Sequence, residues 1–289
     1  MIKLGLRKLI GAMATLVIFA FLSTLVFAWL QRNQYAGTFL PILMYHQIYT
    51  YPTGNEWGVS QEAFGRHMRV LYESGFNTVT LSQIIEYVFY DGELPENPVL
   101  ITFDDGYLNV YLYGFPILEY FGFTAVSFIV GHNVGQSYYK DTGFPVIPKF
   151  CFDEARRMQH VMDIQSHSYD MHQVAHLEPG RARVNMLRWE DESMQDYLAA
   201  IEYDHNRISN LIYDELGIEV ISVAFPGGDF DDYLNHALTD LGVRITFTSA
   251  SAKRYFLWRR DPGSLLGLGR FHVNDVTTED DLLNMIRQP

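Results

Sequence analysis

Val99-Leu100-Ile101-Thr102-Phe103-Asp104-Asp105-Gly106-Tyr107 is the stretch on which the reading of this chain turns. Its first five residues are apolar or β-branched, with no polar alternation, which suits a short strand buried on both faces. Two carboxylates then arrive together, and Gly106 allows a sharp turn. Adjacent side chains on an extended segment point to opposite sides. One carboxylate can therefore bind a cation while its neighbour faces another part of the same pocket. An isolated Asp-Asp-Gly would be read as a solvated turn, so its weight comes from what surrounds it.

Working outward, short apolar runs recur at residues 41–48, 76–81, 124–130, 162–165, 220–225, 243–248 and 268–273. Helical patterns lie between them at 61–73, 82–89, 109–121, 153–160, 190–216, 233–241 and 279–287, with Ser60 and Ser82 as expected N-caps. Residues 133–149, with several Gly, Pro and Tyr, read as a long loop at a rim. Strand and helix in alternation predict a parallel sheet with crossover connections, and seven or eight such units predict a barrel of the TIM type or a relative. Catalytic groups in such barrels sit where strands end. The predicted strand ends carry His46, Asp104-Asp105, His132, His167, Pro226-Gly227-Gly228 and Arg270.

A second cluster reads Ser166-His167-Ser168-Tyr169-Asp170-Met171-His172. Two histidines five apart lie about 140° apart on a helix and on opposite faces of a strand. They converge only if the strand stops and the chain turns between them, as expected near Gln165. With a carboxylate from the Asp pair they make two imidazoles and one carboxylate, a frequent set for catalytic zinc. His67, His160, His205 and His236 fall on predicted helices and read as packing or surface residues.

The two motifs, in this order, resemble the first two motifs of the NodB-homology polysaccharide deacetylases, carbohydrate esterase family 4. The opening Leu43-Met44-Tyr45-His46-Gln47-Ile48, the five-residue histidine spacing, Phe225-Pro226-Gly227-Gly228 and Gly269-Arg270-Phe271-His272-Val273 are similar to the branch containing poly-N-acetylglucosamine deacetylases. The resemblance implies an α/β fold, a distorted (β/α)₇ barrel. It implies one divalent metal ion, with Zn²⁺ expected, on Asp105, His167 and His172, and Asp104 as catalytic base. Gly227 and Tyr107 would face the oxyanion or the substrate. The general acid is left between His46, the first choice, and His272. The Arg that many relatives place before the Pro of the third motif is missing here, and Arg270 is the candidate to orient the base instead.

The activity implied is hydrolysis of N-acetyl groups from a cell-surface N-acetylglucosamine polymer. The alternatives are an O-acetyl esterase on another glycan and a catalytically inactive glycan-binding wall protein. A net charge of -13 disfavours nucleic acid as a partner. One cysteine, Cys151, rules out an internal disulfide. Lys3, Arg7 and Lys8 precede an apolar run over residues 9–30, about 30 Å as a helix, enough to cross a lipid bilayer. The expected organisation is a cytoplasmic N-terminus (1–8), a transmembrane signal-anchor (9–30), a linker (31–37) and an extracytoplasmic catalytic domain (38–289) at the cell membrane. Cleavage near Val26-Phe27-Ala28, giving a secreted protein, is the alternative.

Overall fold

A computed structural model describes residues 18, 21–24, 37–249 and 256–287. The expected membrane span, 9–30, lies mostly outside the described residues. Of it, Ile18 and residues 21–24 are helical. Among the described residues, no helix is long and apolar enough to cross a membrane. The chain divides into a unit ending at Thr38 and a unit over Phe39–Pro289; all that follows concerns the second.

Its core is a parallel sheet of eight strands: β1 (Ile42–Tyr45), β2 (Asn77–Thr78), β3 (Pro98–Asp104), β4 (Ala125–Ile129), β5 (Met162–Ser166), β6 (Ser222–Ala224), β7 (Ile245–Phe247) and β8 (Phe271–His272). The order is β7-β6-β5-β4-β3-β1-β8, with β2 paired to the start of β3. The connections carry helices α1 (Gln61–Glu73), α2 (Leu81–Phe89), α3 (Phe115–Phe121), α4 (Phe152–Met158), α5 (Met194–Leu216) and α6 (Asp232–Asp240), and α7 (Glu279–Ile286) follows β8. The sheet curls into a half-barrel. Leu268 bridges Phe247 at one edge, and Phe271 and His272 pair with Leu43 and Met44 at the other. The regular last strand expected over 268–273 thus shrinks to one bridge and two residues. Gly267, at φ +70°, and Gly269 flank Leu268, and glycine supports strand pairing poorly.

Period-two alternation sorts β3. Ile101 and Phe103 pack with Leu43, Tyr45 and helix α1 on the outer face. Leu100 packs with Ile42, Val126, Phe128 and Phe247 on the other. Thr102 and Asp104 share the side of Leu100, so the first carboxylate of the pair ends a column of buried residues.

Three local expectations need correction. Helix α2 is capped by Thr80, not Ser82, because Thr80 and Gln83 form a reciprocal capping box. The helix expected over 109–121 opens as a π-helical turn, Val110–Gly114, before α3. Pro116 has no N–H to donate to the fourth residue before it, and the chain widens there. Residues 133–149 are not a featureless loop: Tyr138–Tyr139 and Phe144–Pro145 pair as an antiparallel hairpin.

Candidate active site

The strand ends open on a cleft of about 320 Å³ lined by His46, Trp57, Asp104, Asp105, His167 and His172, with Tyr107, Gly227 and Gly228 also on its wall. Asp104 is the last residue of β3, whereas Asp105 already has φ +70°. The turn therefore begins at Asp105 rather than at Gly106. A left-handed aspartate costs on the order of 1 kcal/mol, and it aims the carboxylate away from its neighbour.

His167 follows β5 directly. Its Nδ1–H donates to the carbonyl of Ala224 at the end of β6, 2.7 Å away. That bond settles the tautomer and leaves Nε2 with a free lone pair, 3.6 Å from Asp105 Oδ1. Burial holds its pKa down at about 4, so the ring is neutral near pH 7. Ser168, at φ +75°, reverses the chain and brings His172 Nε2 to 3.5 Å from the same oxygen. The three donor atoms lie within 4.8 Å of one another. Ligands about 2.1 Å from a tetrahedral ion are about 3.4 Å apart. The two measured separations and the locked tautomer therefore fit a divalent metal.

Two carboxylates flank this point in different surroundings. Burial opposes ionisation of Asp104, but Arg270, joined by His167 and His46, outweighs it and holds the carboxyl below its ordinary range. Arg270, 1% exposed, grips both Asp104 oxygens at 2.7 Å and donates to Thr248 O and Thr102 Oγ1 as well. Burial opposes ionisation of Asp105 too, and there Lys149 is the strongest counterweight, ahead of His172 and His167.

His46 Nε2 lies 4.0 Å from Asp104 Oδ2, and its Nδ1 is buried without a partner. Burial lowers its pKa, against the pull of Asp104. The Trp57 ring sits 4.8 Å from both His46 and His272, whose own centroids are 6.0 Å apart. Both candidate acids thus reach one neighbourhood, but of the two only His46 lines the cleft. Gly227 and Gly228 have φ +68° and +79°. A Cβ on Gly228 would meet Ser249 Oγ at 1.9 Å, so this wall admits only glycine.

Two residues that pattern reading passed over shape the site. Asp204, buried on α5, accepts the backbone N–H groups of Tyr169 and Asp170 at 2.8 Å each, bracing the turn between the two histidines. Nothing in an amphipathic helix marks one acid for that use. Lys149 is 9% exposed, with Nζ 3.3 Å from the Tyr107 ring centroid; burial lowers its pKa to about 8. Its only sequence signal is its setting, Pro148-Lys149-Phe150, among apolar neighbours. Asp170, between the two histidines, contacts Lys140 and His132 instead of His167 or His172.

The profile of the polysaccharide deacetylases matches residues 91–246, more than half of the chain. This chain belongs to the polysaccharide deacetylase family. Relatives include YxkH of Bacillus subtilis, provisionally a polysaccharide deacetylase, 31% identical over 160 residues that cover 55% of this chain and 52% of YxkH. The poly-β-1,6-N-acetyl-D-glucosamine N-deacetylase of Escherichia coli is 26% identical over 198 residues, 63% of this chain and 29% of that protein. The match thus spans about half, or less, of these relatives. Among solved structures, a de-N-acetylase from Aggregatibacter actinomycetemcomitans superposes with a TM-score of 0.72 at 21% identity, over 86% of this chain and 100% of that one. IcaB from Ammonifex degensii gives 0.68 at 22%, over 86% and 97%. At these identities the structural likeness speaks for the family's fold.

Proposed function

We propose that the chain removes N-acetyl groups from an N-acetylglucosamine-containing cell-surface polysaccharide, releasing acetate. The observation that carries this reading is the convergence of Asp105, His167 and His172 beside an ionised, buried Asp104 and a His46 whose Nε2 faces Asp104, in one open cleft. A relative from Escherichia coli bears the name of a poly-β-1,6-N-acetyl-D-glucosamine N-deacetylase, which supports the substrate class.

Asp105, His167 and His172 would hold one divalent ion, Zn²⁺ by the chemistry of the donors. Bound there, it supplies Lewis acidity for the acetyl carbonyl and acidifies water. Asp104 accepts the proton of the attacking water, with Arg270 fixing its orientation and keeping it ionised. Gly227, which like Tyr107 lines the cleft, offers backbone where negative charge builds up. His46 gives the proton that the leaving sugar amine needs. His272 does not line the cleft and is the second choice. Trp57 presents a partly exposed ring to a sugar face. A substrate of this kind goes with a domain outside the cytoplasm, held at the membrane by residues 9–30.

The test is acetate release from a β-1,6-linked N-acetylglucosamine polymer by the purified full chain. Chelation is expected to abolish release and added Zn²⁺ to restore it. Release that survives chelation and the His167→Ala substitution would overturn the metal assignment, and release only from O-acetylated glycans would overturn the substrate. His46→Ala is expected to lose on the order of 10²–10⁴ in rate on the amide. It should lose far less on an aryl acetate ester, whose leaving group needs no proton. If His272→Ala shows that pattern instead, the acid is His272.

A further inference from the structure

The two histidines of the site are held unequally. His167 is buried, and its Nδ1–H donates to Ala224 O at 2.7 Å. The side chain of His172 is 35% exposed, and its Nδ1–H donates to Val184 O at 3.4 Å. The placement of that proton matters, because His172 Nε2 faces Asp105 Oδ1 at 3.5 Å. A neutral imidazole carries one proton on one of its two nitrogens. A proton on Nε2 would be drawn to the carboxylate and would occupy the lone pair that a metal ion needs. A bond of 3.4 Å is a weak lock against that pull, so the carbonyl that makes it has to be held still.

Val184 belongs to the excursion between β5 and α5, and one residue ties it to the histidine turn. Gln173 directly follows His172, and Arg183 directly precedes Val184. The two meet at two points. Gln173 N–H donates to Arg183 O at 2.9 Å, and Arg183 N–H donates to Gln173 Oε1 at 2.7 Å. Nε2 of the same side chain donates to Asp170 Oδ2 at 3.2 Å. The amide of Gln173 thus spans from the turn between the histidines to the segment that carries the carbonyl. That segment is anchored on its far side. The Arg183 guanidinium lies 4.0 Å from the Trp189 ring centroid and pairs with Glu192. Asn185 Nδ2 donates to Asp229 Oδ2 at 3.0 Å, and the carbonyl of buried Met186 accepts Tyr197 O–H at 3.1 Å. We propose that Gln173 is a positioning residue: it clamps residues 183–184 to the histidine turn, so that Val184 O keeps the proton of His172 on Nδ1 and leaves Nε2 free for a divalent ion. This rests on the metal reading given under Proposed function, but the proton's place on the ring is measurable without any ion.

The experiment strips the full chain with a chelator and records long-range ¹H–¹⁵N correlations of the histidine rings at about pH 8, where free imidazole is neutral. These correlations show which nitrogen carries the proton. Zn²⁺ affinity is then measured by competition with a chromophoric chelator. In the wild type, His167 and His172 are both expected as Nδ1–H forms. Gln173→Leu removes both side-chain bonds, and Gln173→Asn is too short to keep both. In these variants His172 should move toward the Nε2–H form while His167 stays as it is, and Zn²⁺ affinity should fall about 10–100-fold. Gln173→Glu keeps an acceptor for Arg183 N–H and should restore most of the Nδ1–H form and of the affinity. A wild type with the His172 proton on Nε2 overturns the proposal. So does an unmoved tautomer in Gln173→Leu and Gln173→Asn, whatever their affinity. Failure of both variants to fold, with or without Zn²⁺, makes Gln173 structural and also overturns it. A wild-type chain that binds no Zn²⁺, or binds it no better than His167→Ala, defeats the metal reading instead, whatever the rings show.

Discussion

Arg270 illustrates how one side chain sets the chemistry of another. Its planar fork meets both oxygens of Asp104 at 2.7 Å in a place where neither group reaches water freely. The depressed pKa of Asp104 means that its ionised form is favoured in the folded state. The resulting stabilisation is present above the unfolded aspartate value of about 3.9 and is lost as pH falls through the native value. Arg270→Met leaves a buried carboxylate without its partner and is expected to cost about 3–5 kcal/mol in denaturant unfolding. In whatever variant remains folded, the pKa of Asp104 rises, so the acid limb of the pH–rate profile moves to higher pH. Arg270→Lys should fall between, since an ammonium cannot match both oxygens. An acid limb that stays in place in both variants would show that Arg270 does not control the base.

At the scale of elements, the site depends on a turn that has to bring two histidines to one oxygen. Ser168 supplies the reversal with its positive φ, and Asp204 on α5 braces it from behind through two backbone N–H groups. Burial raises the carboxyl of Asp204 to about 6, against those two hydrogen bonds. The folded protein then binds this proton more tightly than the unfolded chain does. The contribution is fully present below about pH 3.9 and is lost as pH rises through about 6. Asp204→Asn should flatten the fall in stability across that window. It should also destabilise the fold by about 1–3 kcal/mol, because the amide's own N–H₂ would face a donor. Thermal melts between pH 4 and 7 decide this, and an unchanged pH dependence would remove Asp204 from the account.

At the scale of the whole molecule, the compact unit over Phe39–Pro289 contains the sheet, its helices and every residue of the cleft. A chain of residues 37–289 is expected to fold alone, to melt in one transition and to retain Zn²⁺ binding. In intact cells stripped of their wall, added protease should digest this domain of the full-length protein. Protection there would put the domain on the cytoplasmic side and refute the reading of residues 9–30 as an outward-directing anchor.

Much of this was legible in order along the chain. The apolar runs marked the strands, because a strand covered on both faces must be apolar throughout, and their ends marked His46, Asp104, Asp105 and His167. Helix α1 came out at its expected bounds, Gln61–Glu73, because Ser60 caps it and its apolar face keeps a strict period. The sequence by itself thus determined the α/β class, the family and the candidate residues that line the cleft. Only the tertiary structure decided which of these meet. Arg270 lies 166 residues from Asp104, Asp204 lies 34 and 35 from the amides it holds, and Lys149 meets Tyr107 only because their two segments pair. Charge pairing and burial depend on distance in space, and local pattern carries no record of the partner that desolvates a side chain or offsets its charge.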